Sequence, residues 1–333
     1  MTTRSLRYLL TCTVLSLWLP ADGSAATAAA PATLPSFTLG VSMHFMRDDY
    51  AVKLVESIEA VVAQFPGSKV VVTDANGTAQ KQLADMENLV VQNVDAIIVV
   101  PIDEKAILPA IRTANQKKIP VVAVTRIPGA EVLTTIGSNG DFANGRASGD
   151  LLVQATHGKG KVAMIGIPYS LWRIDERERG FEEAIAGTEL SIAVRESGLD
   201  QAKVQDTVAG ILVAHPDLAG IWCAFSNQLV GAADALRSAN RKDIVLTGID
   251  ADKVIIERIR AGWITGAAAQ FPREQGKLAA EAVIAFLEGK QVPPAFEVPV
   301  GLVTVDNADE MEARVWGAKV RDAKVRDAKV LNH

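Results

Sequence analysis

The sequence predicts an α/β protein made of two doubly wound lobes, each built on a parallel sheet. Short apolar segments alternate with amphipathic helical segments, a pattern typical of parallel strands that helices cover on both faces. The alternation restarts after the turn-rich segment 137–140. The length of 333 residues also corresponds to about two domains of about 150 residues.

The first half of the chain predicts four strands and three helices. The strands consist mainly of apolar and β-branched residues, and the helices carry apolar residues at helical spacing, such as Leu83, Met86 and Val90. The predicted strands are 37–42, 69–73, 95–101 and 121–125, and the predicted helices are 49–64, 80–92 and 106–117.

The second half repeats this pattern with elements of similar length. The predicted helices are 145–156, 176–186, 202–214 and 230–239, and the predicted strands are 161–166, 192–196, 219–225 and 244–249. Parallel open sheets bind ligands beyond the carboxyl ends of their strands. We therefore expect functional residues directly after the strands, where aromatic, carboxylate and arginine side chains are frequent.

Two terminal segments are predicted to lie outside the fold. Arg4 and Arg7 precede an apolar run of about 12 residues and then small residues, the pattern of a cleavable signal peptide over 1–26. The run is shorter than the roughly 20 residues of a membrane span, although an uncleaved anchor and lipid attachment at Cys12 remain alternatives. The repeats AKVRD, AKVRD and AKV predict a disordered charged tail over 318–333, with a basic contact patch as the alternative.

The charge distribution argues against a nucleic-acid partner. The whole chain has 34 basic and 39 acidic residues, a net charge of −5. The leader 1–36 holds two basic and one acidic residue, and the tail holds five and two, so 37–317 keeps 27 basic and 36 acidic residues, a net charge of −9. A nucleic-acid-binding domain needs a basic surface, which this acidic body does not provide.

The motifs of common enzymes are absent from the sequence. It contains no G-x-G-x-x-G after a first strand, no P-loop, no H-E-x-x-H and no G-x-S-x-G. Cys223 is the only cysteine outside the predicted signal peptide, and we expect it to be buried and unreactive. We therefore expect no catalytic residues, no metal site and no cofactor.

Segments spread over 37–305 carry a family resemblance. They are LGVS (39–42) before the helix with Tyr50, DAIIVVP (95–101), IPVV (119–122), RERGF (177–181), AHPD (214–217), TGID (247–250) and AQFP (269–272). In their order and spacing the chain resembles the periplasmic solute-binding proteins of sugar-importing ABC systems, the ribose- and galactose-binding class. The resemblance implies the type I periplasmic-binding fold, two lobes joined by a three-segment hinge.

The resemblance also implies how the chain is divided. The N-terminal lobe would comprise 37–138 plus 271–299, and the C-terminal lobe 139–270 plus 300–317. Because the chain would cross between the lobes three times, neither lobe is a simple half of the sequence.

The resemblance implies nine ligand-binding residues, each of which has a structural alternative. Arg126, Arg177, Asp250 and Gln270 match polar residues of the family pattern that bind sugar hydroxyls, with a rim salt bridge, a solvated helix face, a helix N-cap and a backbone-bonding amide as the alternatives. Aromatic side chains would stack on sugar C–H faces or pack in the core. The nine residues are Phe45, Asp49, Tyr50, Arg126, Trp172, Arg177, Phe225, Asp250 and Gln270.

Three positions of the chain do not match the family pattern directly. Asp49 would replace an aromatic residue or accept a hydroxyl hydrogen bond, unless it caps the following helix. The ribose-binding pattern has an aspartate where this chain has Thr125 and an asparagine where it has Phe225. One carboxylate and one amide would therefore be missing, which predicts that the ligand is not ribose in its usual pose.

We therefore expect a monomeric, periplasmic, non-enzymatic receptor for a small sugar or sugar alcohol, which closes around its ligand by hinge motion. The partners implied by the resemblance are an inner-membrane ABC permease and a chemoreceptor. The alternatives are a binding protein for a nucleoside or a furanose signal, the sensor domain of a transcriptional regulator, and an enzyme on a two-lobed scaffold.

Overall fold

The computed structural model describes residues 34–47, 49–137, 139–168 and 170–317. The predicted signal peptide and the predicted C-terminal tail lie outside these residues. In the described part of the chain, no helix is long and apolar enough to cross a membrane.

The first part of the described chain alternates strands and helices around one sheet. Its elements are β1 (Thr38–Met43), α1 (Asp49–Val62), β2 (Lys69–Asp74), α2 (Ala79–Val91), β3 (Ala96–Val99), α3 (Leu108–Gln116), β4 (Val121–Val124) and β5 (Thr134–Ile136). Every residue of β3 and β4 is buried. This burial explains why their sequences are continuously apolar instead of alternating.

The middle part builds a second sheet in the same way. Its elements are α4 (Gly140–Ala155), β6 (Lys159–Gly166), α5 (Trp172–Ile185), β7 (Glu189–Ser197), α6 (Gln201–Ala214), β8 (Leu218–Cys223), α7 (Ser226–Ser238), β9 (Val245–Ile249), α8 (Lys253–Arg260) and β10 (Gly266–Ala269). The last elements are α9 (Pro272–Leu287), β11 (Ala295–Phe296), β12 (Gly301–Thr304) and α10 (Ala308–Trp316).

The two sheets share one strand order. The first is ordered β2-β1-β3-β4-β5-β11 and the second β7-β6-β8-β9-β10-β12. All neighbouring strands run parallel except β10 and β12, which are antiparallel. The predicted class of two doubly wound parallel-sheet lobes is confirmed.

Each sheet is covered by helices on both faces. Ile98 of β3 packs in a cluster with α1 and α9, whereas its neighbours Ile97 and Val99 pack with α2 and α3. In the second sheet, Ile221 packs with α6, α7 and α8, whereas Trp222 packs with α4 and α5. We call the first sheet with α1, α2, α3 and α9 the first lobe, and the second sheet with α4 to α8 and α10 the second lobe.

The chain passes between the lobes three times. It leaves the first sheet after β5 and enters α4, returns through 270–271 between β10 and α9, and leaves again through 297–300 between β11 and β12. Each crossing follows the carboxyl end of a strand, β5, β10 or β11. Residues in and beside them can therefore contact both lobes.

Several helices begin earlier than predicted. α4 begins at Gly140 instead of 145, α5 at Trp172 instead of 176, and α7 at Ser226 instead of 230. Their first turns follow the carboxyl ends of strands, or a crossing, and include polar residues such as the buried Asp141 and Asn144. Polar first turns carry no apolar periodicity, so the sequence pattern placed these residues in loops.

The backbones of α4 and α5 touch through glycines. A Cβ atom at Gly145 would overlap the carbonyl oxygen of Arg177, and a Cβ at Gly180 would overlap the carbonyl oxygen of Phe142. Gly276 makes the same kind of contact between α9 and α1, against the carbonyl oxygen of Leu54. These glycines allow backbone contact between α4 and α5 and between α9 and α1.

We predict that Gly145→Ala destabilises the protein by about 2 kcal/mol or more, because the added methyl group forces α4 and α5 apart. Gly210 provides a matched control, since it lies in α6 with no atom near its missing side chain. Gly210→Ala should be neutral or stabilising by up to about 1 kcal/mol. Urea unfolding measures both, and a Gly145→Ala variant as stable as the wild type would contradict the close contact.

Candidate functional site

Arg177 and Asp141 form a buried ion pair at the contact between α4 and α5. The Nε of Arg177 donates to Asp141 Oδ1 at 2.8 Å, and its Nη1 donates to the carbonyl oxygen of Ala224 at 3.1 Å. Arg177 is only 6% exposed. Burial lowers the pKa of Arg177, but the carboxylates of Asp141 and Asp250 outweigh this effect and hold it above its ordinary value. Arg177 therefore does not lie on a solvated helix face and stays charged.

Asp141 also reaches the carboxyl end of β4 in the first lobe. The Thr125 hydroxyl donates to Asp141 Oδ2 at 2.7 Å. Thr125 still lacks the aspartate of the ribose-binding pattern. Asp141, which directly follows the first crossing, nevertheless places a carboxylate from another element beside the Thr125 hydroxyl.

Asp250 and Gln270 form a second polar pair, at the carboxyl end of β9 and in the second crossing. The Nε2 of Gln270 donates to Asp250 Oδ1 at 2.7 Å. The backbone N–H of Ser226, the first residue of α7, donates to Asp250 Oδ2 at 3.0 Å. Asp250 therefore stabilises the N-terminus of α7 instead of capping the helix that follows it.

The two polar pairs meet around Phe225. Arg177 binds the carbonyl oxygen of the residue before Phe225, and Asp250 binds the N–H of the residue after it. Phe225 itself is half-buried and packs against the core under α4 and α5. The backbone on both sides of Phe225 is thus held by charged side chains, while the ring packs partly against the core.

Thr125 and Asp250 occupy equivalent positions in the two lobes, and both are strained. Each is the first residue after the fourth strand of its sheet, and their φ angles are +76° and +82°. A positive φ is unfavourable for any residue with a side chain, and most of all for a β-branched one. Such conformations cost about 1–3 kcal/mol and cluster at functional sites.

Aromatic side chains follow β1. The rings of His44 and Phe45 lie 4.0 Å apart, and Tyr50 meets His44 edge-on at 6.3 Å. The hydroxyl group of Tyr50 donates to Gln275 Oε1 of α9 at 2.8 Å. Arg47 lies over the Phe45 ring at 5.1 Å. Phe45 and Tyr50 thus belong to one cluster at the carboxyl edge of the first sheet.

Side chains of the two lobes also meet directly. Exposed Arg126, after β4, lies over the ring of Trp172 at 5.8 Å. Asp49 lies 3.6 Å from the Nζ of Lys253 in α8, and both side chains are about half exposed. Asp49 is therefore at the rim between the lobes, paired with a lysine.

The structure thus places the predicted residues in separate contact groups. Arg177, Phe225, Asp250 and Gln270 share one set of contacts, Phe45 and Tyr50 form a second cluster, and Arg126 and Trp172 face each other across the lobes. Within the described ranges, no group of three His, Cys, Asp or Glu side chains could hold a metal ion.

A comparison with family models identifies the family to which this architecture belongs. Residues 39–291 match the model described as a periplasmic binding protein domain. The chain belongs to the periplasmic binding protein family. This confirms the resemblance inferred from the sequence, and the protein is a solute-binding protein with the type I fold.

Named relatives of this periplasmic binding protein agree with that assignment. The ribose import binding protein of Bacillus subtilis strain 168 is 30% identical over 270 residues, which are 80% of this chain and 87% of that protein. The putative rhizopine-binding protein of Rhizobium meliloti is 26% identical over 291 residues, 83% of this chain and 93% of that protein.

Solved structures show the same fold. A solute-binding protein of Bacillus halodurans C-125 with bound myo-inositol has a TM-score of 0.78 and 21% identity, and covers 84% of this chain and 98% of that one. A protein of Actinobacillus succinogenes 130z with bound D-allose has a TM-score of 0.76 and 22% identity, and covers 83% of this chain and 100% of that one.

Sequence reasoning missed four residues near the site of this periplasmic binding protein. Asp141 pairs with Arg177, and His44 lies between Phe45 and Tyr50. Arg173 of the second lobe contacts buried Glu104 of the first. Burial raises the pKa of Glu104 above its ordinary value, although Arg173 opposes the effect. Only the strand-end position of His44 was visible in the sequence, because the contacts of all four residues depend on the tertiary fold.

His44 is 9% exposed, and within the described residues its buried Nδ1 has no hydrogen-bond partner. Burial, with smaller contributions from Arg173 and Arg47, lowers the pKa of His44 from 6.5 to about 3. The imidazole is therefore neutral at physiological pH, with one nitrogen that donates and one that accepts.

We predict that His44 makes the folded protein less stable at acid pH. Above about pH 6.5 it is neutral in both the folded and unfolded states, so it adds no pH dependence. As the pH falls from about 6.5 towards 3, the unfolded chain binds a proton that the folded protein excludes. The free energy of unfolding should then decrease by up to about 1.4 kcal/mol per pH unit.

Urea unfolding between about pH 5 and pH 7.5 tests this dependence, and His44→Gln should have a shallower slope than the wild type. The exposed His157 provides a control, and His157→Asn should keep the wild-type slope. Equal slopes for the wild type and His44→Gln would show that His44 is not excluded from protonation.

Proposed function

We propose that this periplasmic binding protein binds a small, neutral, polyhydroxylated ligand, a sugar or sugar alcohol, between its lobes. The observation that carries the proposal is the convergence of Arg177, Asp250 and Gln270 beside Phe225. The nine residues predicted from the sequence are proposed as ligand-binding residues, with His44 and Asp141 added to them.

The polar groups have hydrogen-bonding capacity to spare. The guanidinium of Arg177 has five N–H donors, of which Nε and Nη1 bind the protein. Each oxygen of Asp250 accepts one hydrogen bond and can accept another. Gln270 donates through Nε2, and its Oε1 can accept a bond. A hydroxyl group both donates and accepts, so it fits this mixture.

The charges favour a neutral ligand. Arg177 is paired with Asp141, and Arg173 is paired with Glu104. Asp49 is paired with Lys253, and the last two charges of the predicted site, Arg126 and Asp250, have opposite signs. The predicted site would therefore have no net charge to attract a charged ligand.

The rings of Phe45, Tyr50, Trp172 and Phe225 would complete the pocket, because aromatic faces stack on the C–H faces of sugars. The relatives support the same class, since ribose, myo-inositol and D-allose are small, uncharged and rich in hydroxyl groups. Thr125 and Phe225 differ from the ribose-binding pattern. The proposal therefore covers pentoses, hexoses and linear polyols in a pose other than the usual one of ribose.

The proposed mechanism is closure of the two lobes about the three crossings. The moving bodies would be 37–138 plus 271–299 and 139–270 plus 300–317. A ligand that contacts both lobes binds the closed state better and so increases its population. The closed protein would deliver its ligand, chemically unchanged, to an inner-membrane ABC permease.

The cellular setting follows from the same proposal. The protein would be exported by its signal peptide, act in the periplasm as a monomer, and present its closed face to the permease and to a chemoreceptor. No catalytic step is proposed, and mass spectrometry of a ligand incubated with the protein should recover it unaltered.

We predict that the purified mature protein binds at least one pentose, hexose or polyol with a Kd of about 1 μM or lower. A thermal-shift screen identifies the ligand and isothermal titration calorimetry measures its Kd. Asp250→Ala and Arg126→Ala should each weaken binding by about 10- to 100-fold, because each removes a charged hydrogen-bonding group.

Arg241→Gln is the matched control, since Arg241 pairs with Asp243 on the surface of the second lobe. It should bind like the wild type. Unchanged affinity in both Asp250→Ala and Arg126→Ala would contradict the proposed site, and a complete screen without a hit would contradict the ligand class.

A further inference from the structure

Arg173 reaches from the second lobe to three oxygen atoms of the first. It is the second residue of α5, and its Nη1 donates to the carbonyl oxygens of Pro101 at 3.0 Å and Ile102 at 3.2 Å. The same nitrogen lies 3.4 Å from Oε1 of Glu104. The Arg173 and Glu104 side chains are 19% and 3% exposed, so the contact is largely shielded from water. We call the three oxygens the 101–104 socket.

The first lobe holds the socket in place by itself. The fully buried side chain of Gln82 donates to the carbonyl oxygen of Val100 at 2.8 Å and accepts the N–H of Ile102 at 2.8 Å. The carboxylate of Asp103 accepts the backbone N–H groups of Lys105 and Ala106 at 2.8 and 2.9 Å. None of these contacts involves the second lobe. The socket is therefore preorganised for a guanidinium group.

Two other ion pairs of the described residues join the lobes, and both are more exposed. Asp49 and Lys253 are 3.6 Å apart and about half exposed, and Arg314 of α10 and Glu274 of α9 are 3.2 Å apart and about 40% exposed. Exposed pairs contribute little because water and salt screen them. Arg173 makes its hydrogen bonds in a shielded place, one of them to a carboxylate, and such bonds are stronger. Of these three ion pairs, Arg173 in its socket is therefore the one able to influence lobe closure.

We infer that Arg173 and the 101–104 socket form a latch that stabilises the closed arrangement directly, through a contact that the ligand does not touch. The inference rests on the proposed closure of the lobes around a ligand. When the lobes separate, Arg173 and Glu104 lose their contact with each other and are hydrated instead. The apparent affinity for any ligand then includes the fraction of protein that is closed, and the latch raises that fraction. Arg173 is thus a positioning residue for binding.

The first test compares ligands. Arg173→Gln should raise Kd by about tenfold for every sugar or polyol that binds, and by the same factor for each. The factor is common because the latch acts on the lobes and not on a hydroxyl group. Factors that differ among epimers would show that Arg173 contacts the ligand, and would overturn the latch.

The second test needs no ligand. Fluorophores at Glu87→Cys in α2 and Asp206→Cys in α6, both exposed positions, report the distance between the lobes, while buried Cys223 stays unlabelled. Without a ligand, Arg173→Gln should lose the population with the short distance. An unchanged distance distribution overturns the latch. Loss of that population in a protein that binds no sugar supports the latch while contradicting the proposed ligand class.

A third measurement tests the partner. Glu104→Gln should raise Kd by less than Arg173→Gln does, because two carbonyl oxygens of the socket remain. The double variant should be no weaker than Arg173→Gln alone, whereas additive effects would overturn the pairing. Arg179→Gln is the control, since Arg179 lies on the same helix and pairs with Glu176 within the second lobe. Its Kd should match the wild type, and thermal melting should show that every variant is folded.

Discussion

The buried ion pair between Arg177 and Asp141 is the interaction on which the candidate site depends. A guanidinium that is 6% exposed is tolerated only beside an opposite charge, because the desolvation of an isolated ion costs several kcal/mol. The pair spans α4 and α5, whose backbones touch at Gly145 and Gly180. The glycines therefore set the distance between the helices, and this distance sets the position of the guanidinium. The packing of α4 against α5 and the position of the buried charges in the candidate site therefore depend on the same helix contact.

The same polar network connects the strand ends to the crossings between the lobes. Thr125 directly follows β4 and binds Asp141, which follows the first crossing. Asp250 directly follows β9 and binds Gln270, which lies in the second crossing. Both strand-end residues have a positive φ, so each lobe keeps a strained residue at the equivalent place. Groups that would touch a ligand are thereby bonded to segments that must move when the lobes open.

The sequence predicted the sheets well because their strands are continuously apolar. It was weaker where short segments rely on their surroundings. β5 has three residues, and β10 consists of one glycine and three alanines, which have low strand propensity and are buried only by the fold. After 249 no element was predicted, yet six helices and strands of the described chain, α8, β10, α9, β11, β12 and α10, complete the two lobes there.

The candidate site was predictable where a residue comes within two positions of a strand end, as Arg126 and Asp250 do. It was not predictable where a side chain arrives from a distant element. Asp141 places a carboxylate beside the Thr125 hydroxyl, and the sequence around 125 gives no sign of it. The lowered pKa of His44 depends on its burial and on the charges of Arg173 and Arg47, and Arg173 belongs to the other lobe. Propensity and periodicity describe neighbours along the chain, and these contacts join residues that are far apart in sequence.

Direct contacts between the lobes reduce the free energy that a ligand has to contribute to closure. Moving a two-state equilibrium from 1:99 to 99:1 needs about 5.5 kcal/mol of differential affinity. If the ligand alone supplied this, every hydroxyl group would have to favour the closed state strongly. Arg173 in its socket supplies part of this free energy for any ligand. The groups that face the ligand then discriminate between one ligand and another. Discrimination is strongest where a buried donor or acceptor would be left unpaired by the wrong ligand. Arg177, Asp250 and Gln270 are groups of this kind, held in place by their own protein partners and with further hydrogen bonds still to make.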